Sequence, residues 1–247
     1  LKKLVTPFIL RRNKKEVLTE LPDKIEQNII LPFNDEEEKL YVANLAEANK
    51  ELQELYDLEG SDKMQILKLL TRLRQLCLEP RLVYDNIDQP SSKLKACMEL
   101  IKTMQENKQK VLLFSSFTSV LDLIAEECQK AGITYYMLTG STNKEDRREL
   151  VSRFQKDDTT VFLISLKAGG TGLNLTSAEA VIHFDPWWNV SAQNQATDRA
   201  YRIGQKNNVQ VFNLVMKDSV EEKIIELQKR KKELADMFVE NNSGGLS

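Results

Sequence analysis

Hydrophobic positions along this chain follow two periods, and the change between them falls near residue 90. From Phe33 to about Pro90 the apolar residues recur with helical spacing. Asn34 precedes Asp35, Glu36, Glu37 and Glu38, a capping residue followed by carboxylates that complement the positive end of a helix dipole. Ile66, Leu67, Leu70, Leu73, Leu76 and Cys77 then form a stripe that predicts a packed helix. The stretch Gln89-Pro90-Ser91-Ser92 interrupts the pattern and places Ser92 to cap a helix from Lys93 to Gln105. Beyond it come short β-branched or aromatic runs: Val111 to Phe114, Thr134 to Leu138, Thr160 to Ser165, Ala180 to Asp185 and Val209 to Val215. Amphipathic helical patterns separate the first three of these. The alternation predicts an α/β fold, a mostly parallel sheet flanked by helices on both faces. After Asp218 a charged amphipathic helix is expected to about Glu240, with Val220, Ile224, Leu227, Leu234 and Met237 toward one side. Residues 1 to 32 are basic and read as irregular. No internal repeat is present.

Charge changes the picture only when it is divided along the chain. The 35 basic and 37 acidic residues give a net charge of −2, so overall composition does not argue for nucleic acid. Residues 33–92 hold 7 basic and 13 acidic side chains, a balance of −6, whereas residues 93–217 hold 16 and 13, a balance of +3. A nucleic-acid face is therefore expected in the second region. Cys77, Cys97 and Cys128 are 20 and 31 residues apart and, with His183 as the one histidine, lack metal-ligand spacing. They read as reduced, packed thiols of a cytosolic or nuclear protein. His183 sits between Ile182 and Phe184 and reads as a packed side chain without chemistry. No apolar run approaches the roughly 20 residues that span a bilayer, so no membrane partner is expected. A start at Leu1 and an end in Asn-Asn-Ser-Gly-Gly-Leu-Ser suggest a piece of a longer protein.

Candidate chemistry centres on Gln195 to Gln205. As a helix, this stretch would place Gln195, Asp198, Arg199 and Arg202 on one face and Ala196, Ala200 and Ile203 on a neighbouring apolar one, with Gly204 ending it. Two planar, permanently charged guanidiniums fixed this way suit a transferring phosphoryl group. The plainer reading is a solvated, salt-bridged helix face. The loop Ala168-Gly169-Gly170-Thr171-Gly172-Leu173-Asn174 reads either as a tight turn or as a backbone that approaches a phosphate. It is not a P-loop, because no Gly-Lys-Ser/Thr follows. Ser115, Ser116 and Thr118 stand at the carboxyl end of an expected strand, where they cap a helix or meet a ligand. The cluster Lys229-Arg230-Lys231-Lys232 reads as a solvated helix face.

Taken in order, the strand end at Val111 to Thr118, Leu138-Thr139-Gly140-Ser141, the glycine loop, Asp185-Pro186-Trp187-Trp188-Asn189 and Asp198-Arg199-Ala200-Tyr201-Arg202-Ile203-Gly204-Gln205 resemble motifs IV to VI of the SNF2 family of ATP-dependent DNA translocases. The resemblance covers nearly the whole chain. It implies a RecA-like helicase C-terminal lobe at 93–217, a helical insertion at 33–92, and a C-terminal brace helix and tail at 218–247. Residues 1–32, with Pro7 to Val17 and Leu21-Pro22, resemble the segment entering the second motor lobe.

The same resemblance implies roles for individual residues. Arg199 and Arg202 would be catalytic arginine fingers, and Gly170, Gly172, Gln195 and Asp198 would adjoin the nucleotide. Ser115, Thr118, Lys167, Thr171, Asn174 and Trp188 would meet DNA, Arg147 would extend that track, and Trp187 would pack. ATP and Mg²⁺ would be bound mainly by a first RecA-like lobe, since this chain has neither a P-loop nor a strand-borne Asp-Glu pair. The expected partners are double-stranded DNA, that first lobe and a DNA-bound protein target. The setting would be the bacterial nucleoid or the eukaryotic nucleus. The implied function is the second motor lobe of a DNA-dependent ATPase that remodels protein–DNA complexes, inactive alone. Two departures stand out: Glu79 where the family often has His, and Val190 where it usually has Pro. A non-catalytic RecA-like module that recruits a partner is the alternative, and the intact Arg-x-x-Arg argues against it. A dinucleotide enzyme lacks the acidic ribose ligand about 20 residues after the loop.

Overall fold

A computed structural model of the chain describes residues 23–57, 63–169, 173–202 and 204–243. They form a six-stranded sheet whose strands are β1 (Lys24–Leu31), β2 (Val111–Ser115), β3 (Tyr135–Leu138), β4 (Val161–Ser165), β5 (Ala180–His183) and β6 (Val209–Met216). Their spatial order is β1-β6-β5-β2-β4-β3, and every pairing is parallel. The crossover helices cover both faces, so the inner strands are buried throughout; β2, β4 and β5 are apolar up to a terminal Ser115, Ser165 and His183, with every residue buried.

Apart from the short turns Pro80–Leu82 and Leu166–Gly169, the helices among the described residues are α1 (Asp35–Asp57), α2 (Lys63–Leu78), α3 (Ser92–Glu106), α4 (Thr118–Lys130), α5 (Lys144–Lys156), α6 (Val190–Thr197) and α7 (Val220–Ser243). On one face, Val111, Leu113, Leu163 and Ile182 pack with Leu94, Ile101, Leu121 and Ile124 of α3 and α4. On the other, Leu112, Phe114, Phe162 and Val181 meet Phe154 of α5, Ala196 of α6 and Trp187. A third cluster joins α1 and α2 through Tyr41, Ala48, Leu73, Leu76 and Cys77, and it reaches the end of β6 at Met216.

Two expectations are corrected here. Residues 24–31 are not irregular: they form β1, in register with β6 from Lys24 beside Val209 to Leu31 beside Met216. Glu26, Gln27 and Asn28 break its apolar run, as suits an edge strand, and this hid it in the hydrophobic pattern. The segment Pro7 to Pro22, with Arg11, Arg12, Lys14 and Lys15, lies outside the described residues. The cap of α3 is Ser91, not Ser92. Ser91 Oγ accepts from Leu94 N at 3.0 Å and donates to Leu78 O at 2.9 Å.

Side chains around that cap bind the helices to one another. Glu79 is buried and accepts from Ser91 N at 2.9 Å and from Arg81 Nε at 3.0 Å, which gives this departure from the family pattern a structural role. Asn34 caps α1 as expected, accepting from Glu37 N at 2.9 Å while Glu37 accepts in return from Asn34 N at 3.1 Å. The other oxygen of Glu37 receives Ser92 N at 2.6 Å and ties α1 to α3.

Lys93 and Glu221 form a fully buried ion pair between the first turns of α3 and α7, with both carboxylate oxygens 2.7 Å from Nζ. Burial pushes the Glu221 carboxyl up, opposed by the Lys93 ammonium. Met216 N donates to the same carboxylate at 2.8 Å. Burial raises all three cysteine thiols, Cys128 to about 12, so they stay protonated packing groups. His183 is also buried, with Nε2 3.0 Å from Thr197 Oγ1 and its ring stacked on Phe114. Desolvation drives its imidazole down to about 4, against the attraction of Glu26 and Asp185.

Breaking the buried pair from one side leaves a charge without its partner. Lys93→Met is therefore expected to cost about 3–5 kcal/mol in urea unfolding, and Lys93→Met combined with Glu221→Gln to recover most of that loss. His183 carries its proton below about 4 when folded but near 6.5 when unfolded, so between these values the unfolded chain binds the extra proton. Stability present above pH 6.5 should fall as pH drops toward 4, with a slope of up to about 1.4 kcal/mol per pH unit from this group. His183→Gln should flatten that slope in unfolding curves taken at a series of pH values; an unchanged slope would assign the proton elsewhere.

Candidate functional site

In an open parallel sheet the loops after the strands gather at one edge, and side chains from distant segments meet there. Asp185, just beyond β5, organises that edge. It is fully buried and accepts from Ser115 Oγ at 2.7 Å, Ser116 N at 3.0 Å, the Ser116 hydroxyl, and Arg74 Nη2 at 2.8 Å. Arg74 comes from α2, lies with its guanidinium 5.0 Å from the Phe117 ring, and also donates to Ser116 Oγ at 2.9 Å. Ser115 is thereby corrected as a DNA contact, because its hydroxyl faces inward and is committed to Asp185. Ser116, read from the sequence only as a helix cap or a ligand contact, instead bonds this carboxylate, and Arg74 was assigned no role. The signal for Arg74 was a charge set inside the apolar stripe of Leu70, Leu73 and Cys77.

Outside this buried carboxylate the edge opens into a cleft of about 640 Å³, lined by Ser116, Thr118, Thr139, Gly140, Ser141 and Lys167 among others. Thr118 and Lys167 are exposed to it. A second groove, about 710 Å³, runs along α5 beside Thr142, Lys144, Arg147, Arg148 and Asn174. Arg147 also donates to Ala168 O at 3.4 Å, and Asn174 exposes its side chain while its carbonyl accepts from Gln155 Nε2 at 2.7 Å. Hydroxyls, an amide and four cations, against the single carboxylate of Asp122, thus line the two grooves, a composition suited to phosphate oxygens. Gly170, Thr171 and Gly172 lie outside the described residues. Trp188 is 41% exposed, whereas Trp187 is buried against Phe114 and held by Gln193 Oε1, which accepts from its backbone N at 3.3 Å. Asn189 caps α6 by accepting from Ser191 N at 3.0 Å.

The expected helix from Gln195 to Gln205 is corrected beyond Thr197. Helix α6 ends at Thr197 with Asp198 as its C-cap, and the arginines ride on the turns that follow. The carbonyls that would continue a helix have other partners. Arg199 O accepts from Leu175 N at 3.0 Å, and Ala200 O accepts from Arg202 N at 3.1 Å and from the Gln205 side chain at 3.3 Å. Gly204 turns the chain at φ +101°, where glycine is favoured. Ala196 and Ala200 are buried as the expected apolar face required, and Ile203 lies outside the described residues.

Gln195 and Arg202 are exposed, and Asp198 and Arg199 are half-buried. Burial lowers the pKa of Arg199, the neighbouring Arg202 lowers it further, and Asp198 opposes both. Two guanidiniums close enough to feel each other, with a carboxylate beside them, form a local positive site that an anion would relieve. Among the described residues no group of His, Cys, Asp and Glu side chains is placed to hold a metal ion, and no helix is long and apolar enough to cross a membrane.

Comparison with known proteins gives this arrangement its context. Residues 92–204 match the helicase conserved C-terminal domain, and residues 1–82 match the SNF2-related domain. A Mycoplasma pneumoniae protein named as an uncharacterized ATP-dependent helicase is 41% identical over 93% of this chain and 22% of its own length. The Saccharomyces cerevisiae ISWI chromatin-remodeling complex ATPase ISW1 is 34% identical over 98% of this chain and 23% of its own. This chain thus spans less than a quarter of either relative. Among solved structures, the Sulfolobus solfataricus SWI2/SNF2 ATPase core in complex with dsDNA superposes with a TM-score of 0.74 at 34% identity, covering 94% of this chain and 50% of that one. The C-terminal part of the Fun30 ATPase domain superposes with a TM-score of 0.73 at 27% identity, covering 84% and 90%. With two matched domains, an all-parallel sheet and the arginine turn in place, the chain belongs to the SNF2 family of helicase-like proteins, as its C-terminal RecA-like lobe.

Proposed function

We propose that this chain is the second motor lobe of an SNF2-type DNA-dependent ATPase that translocates on duplex DNA and remodels protein–DNA complexes. The observation that carries the reading is the arginine turn, where burial and the neighbouring Arg202 together lower the pKa of Arg199. Such a pair gains most when negative charge develops between its forks, as on the γ-phosphate of ATP during transfer. Gln195 and Asp198 border the nucleotide, and Gly170 and Gly172 approach it from the glycine loop. ATP is the substrate, held mainly by the first lobe. Mg²⁺ and the groups that activate water belong to that lobe as well, so this chain alone turns over no ATP.

Duplex DNA occupies the cleft and the groove along α5. Thr118, Lys167 and Asn174 contact its backbone there, with Arg147 extending the track, and Thr171 and Trp188 are further proposed contacts. The family relative captured on dsDNA and the yeast remodelling ATPase both favour this reading. Contacts of this kind position the duplex without reading its sequence. Residues 33–92 act as a helical insertion and 218–247 as a brace, and the work is done at DNA, in a nucleus or a nucleoid.

Arg202→Ala in the two-lobed protein should lower ATP turnover by about 10³-fold or more, the usual effect of losing an arginine finger. Normal turnover in a coupled ATPase assay would end the catalytic assignment. Activity that appears only when the first lobe is added in trans, with duplex present, is the matching positive result. Lys167→Ala should weaken duplex binding about equally for unrelated sequences and reduce the slope of log affinity against log salt by about one, read by fluorescence anisotropy in a salt series.

A further inference from the structure

We propose that Gln205 is a positioning residue that sets where Arg199 and Arg202 stand. The inference rests on the arginine reading above and adds the group that holds the arginine turn in place. Gln205 is 6% exposed and uses its whole amide. Nε2 donates to Ala178 O at 2.8 Å and to Ala200 O at 3.3 Å, while Oε1 accepts from Lys206 N at 2.9 Å and Asn207 N at 3.0 Å. Two carbonyl oxygens on one side and two N–H groups on the other admit a single orientation of the amide.

The consequence lies in which carbonyls are taken. Ala200 stands between the two arginines, and Ala178 lies in the stretch that leads from the glycine loop to β5. One NH₂ group therefore ties the arginine turn to the body of the lobe. Gln205 N also donates to Arg202 O at 2.9 Å, and Arg199 O is held by Leu175 N at 3.0 Å, so the turn is pinned on both sides of Ala200. Turns lack the repeating backbone ladder that makes a helix rigid, so side-chain ties must hold their geometry. A buried glutamine with four partners supplies that rigidity next to groups whose placement matters at the 1 Å scale.

The test is a double-mutant cycle in the two-lobed protein, reading kcat at saturating ATP and duplex, KM for ATP, duplex affinity and melting temperature. Gln205→Ala should lower kcat on the order of 10²-fold with duplex affinity unchanged. Added to a variant that lacks both arginines, Arg199→Ala with Arg202→Ala, it should lower kcat less than about two-fold further, because a positioning residue then has nothing left to position. Gln205→Met keeps the length and volume of the side chain but loses the donors to Ala178 and Ala200 and places no charge in the buried site. It should fold and show the same kcat loss, which covers the case in which the alanine variant does not fold. Wild-type kcat in Gln205→Met, or losses that multiply in the combined variant, would overturn the proposal. Normal turnover in Arg202→Ala would instead remove the reading beneath it, and the two failures are separate rows of the same experiment.

Discussion

Burying the Asp185 carboxylate is the constraint that shapes the working edge of this lobe. A desolvated carboxylate costs several kcal/mol unless donors surround it, and here they come from two distant parts of the chain. Ser115 and Ser116 bring the end of β2, and Arg74 brings α2 from more than 100 residues away. Because the charge must be satisfied, the strand end, the tryptophan loop and the outer helix settle into one geometry. The cleft in front of them inherits its shape from that requirement. The Lys93–Glu221 pair does the same for the first turns of α3 and α7.

The lobe separates tasks by burial. Ser115 and Trp187 face inward and build, whereas their neighbours Thr118 and Trp188 face outward. The same division runs through the arginine turn, where Ala196 and Ala200 are buried and Arg202 is exposed. Placing the arginines on turns rather than in a continuous helix hands their positions to tertiary ties, from Leu175 on one side and Gln205 on the other.

Much of the fold could be read from the sequence, for a physical reason. The inner strands of a parallel sheet are apolar on both faces, so β2, β4 and β5 announced themselves, as did the acid-rich start of α1. Edge strand β1 did not, because Glu26, Gln27 and Asn28 carry no such run. The candidate site was legible as types and order of residues, not as geometry. A helical wheel drawn over Gln195 to Gln205 assumes that each carbonyl accepts from four residues ahead. Arg199 and Ala200 instead bond Leu175 and the Gln205 amide, partners that local pattern cannot supply. Arg74, and the bond of Ser116 to Asp185, were missed because their meeting point is joined to them only through the sheet.

Strand β1 also bears on how the chain is made. Its partner β6 begins at Val209, opposite Lys24, so 185 residues must follow before the pair can form. At about 5–20 residues per second on a ribosome, β1 waits roughly 10 to 40 seconds for its neighbour. Through that interval it is an unpaired strand with open amides, the kind of segment that invites pairing with another nascent chain. Lys24, Glu26, Gln27 and Asn28 guard against this, since charge and polarity disfavour edge-to-edge stacking. The features that hid β1 from the hydrophobic pattern are thus the ones that keep a growing polypeptide from joining its neighbour on the polysome.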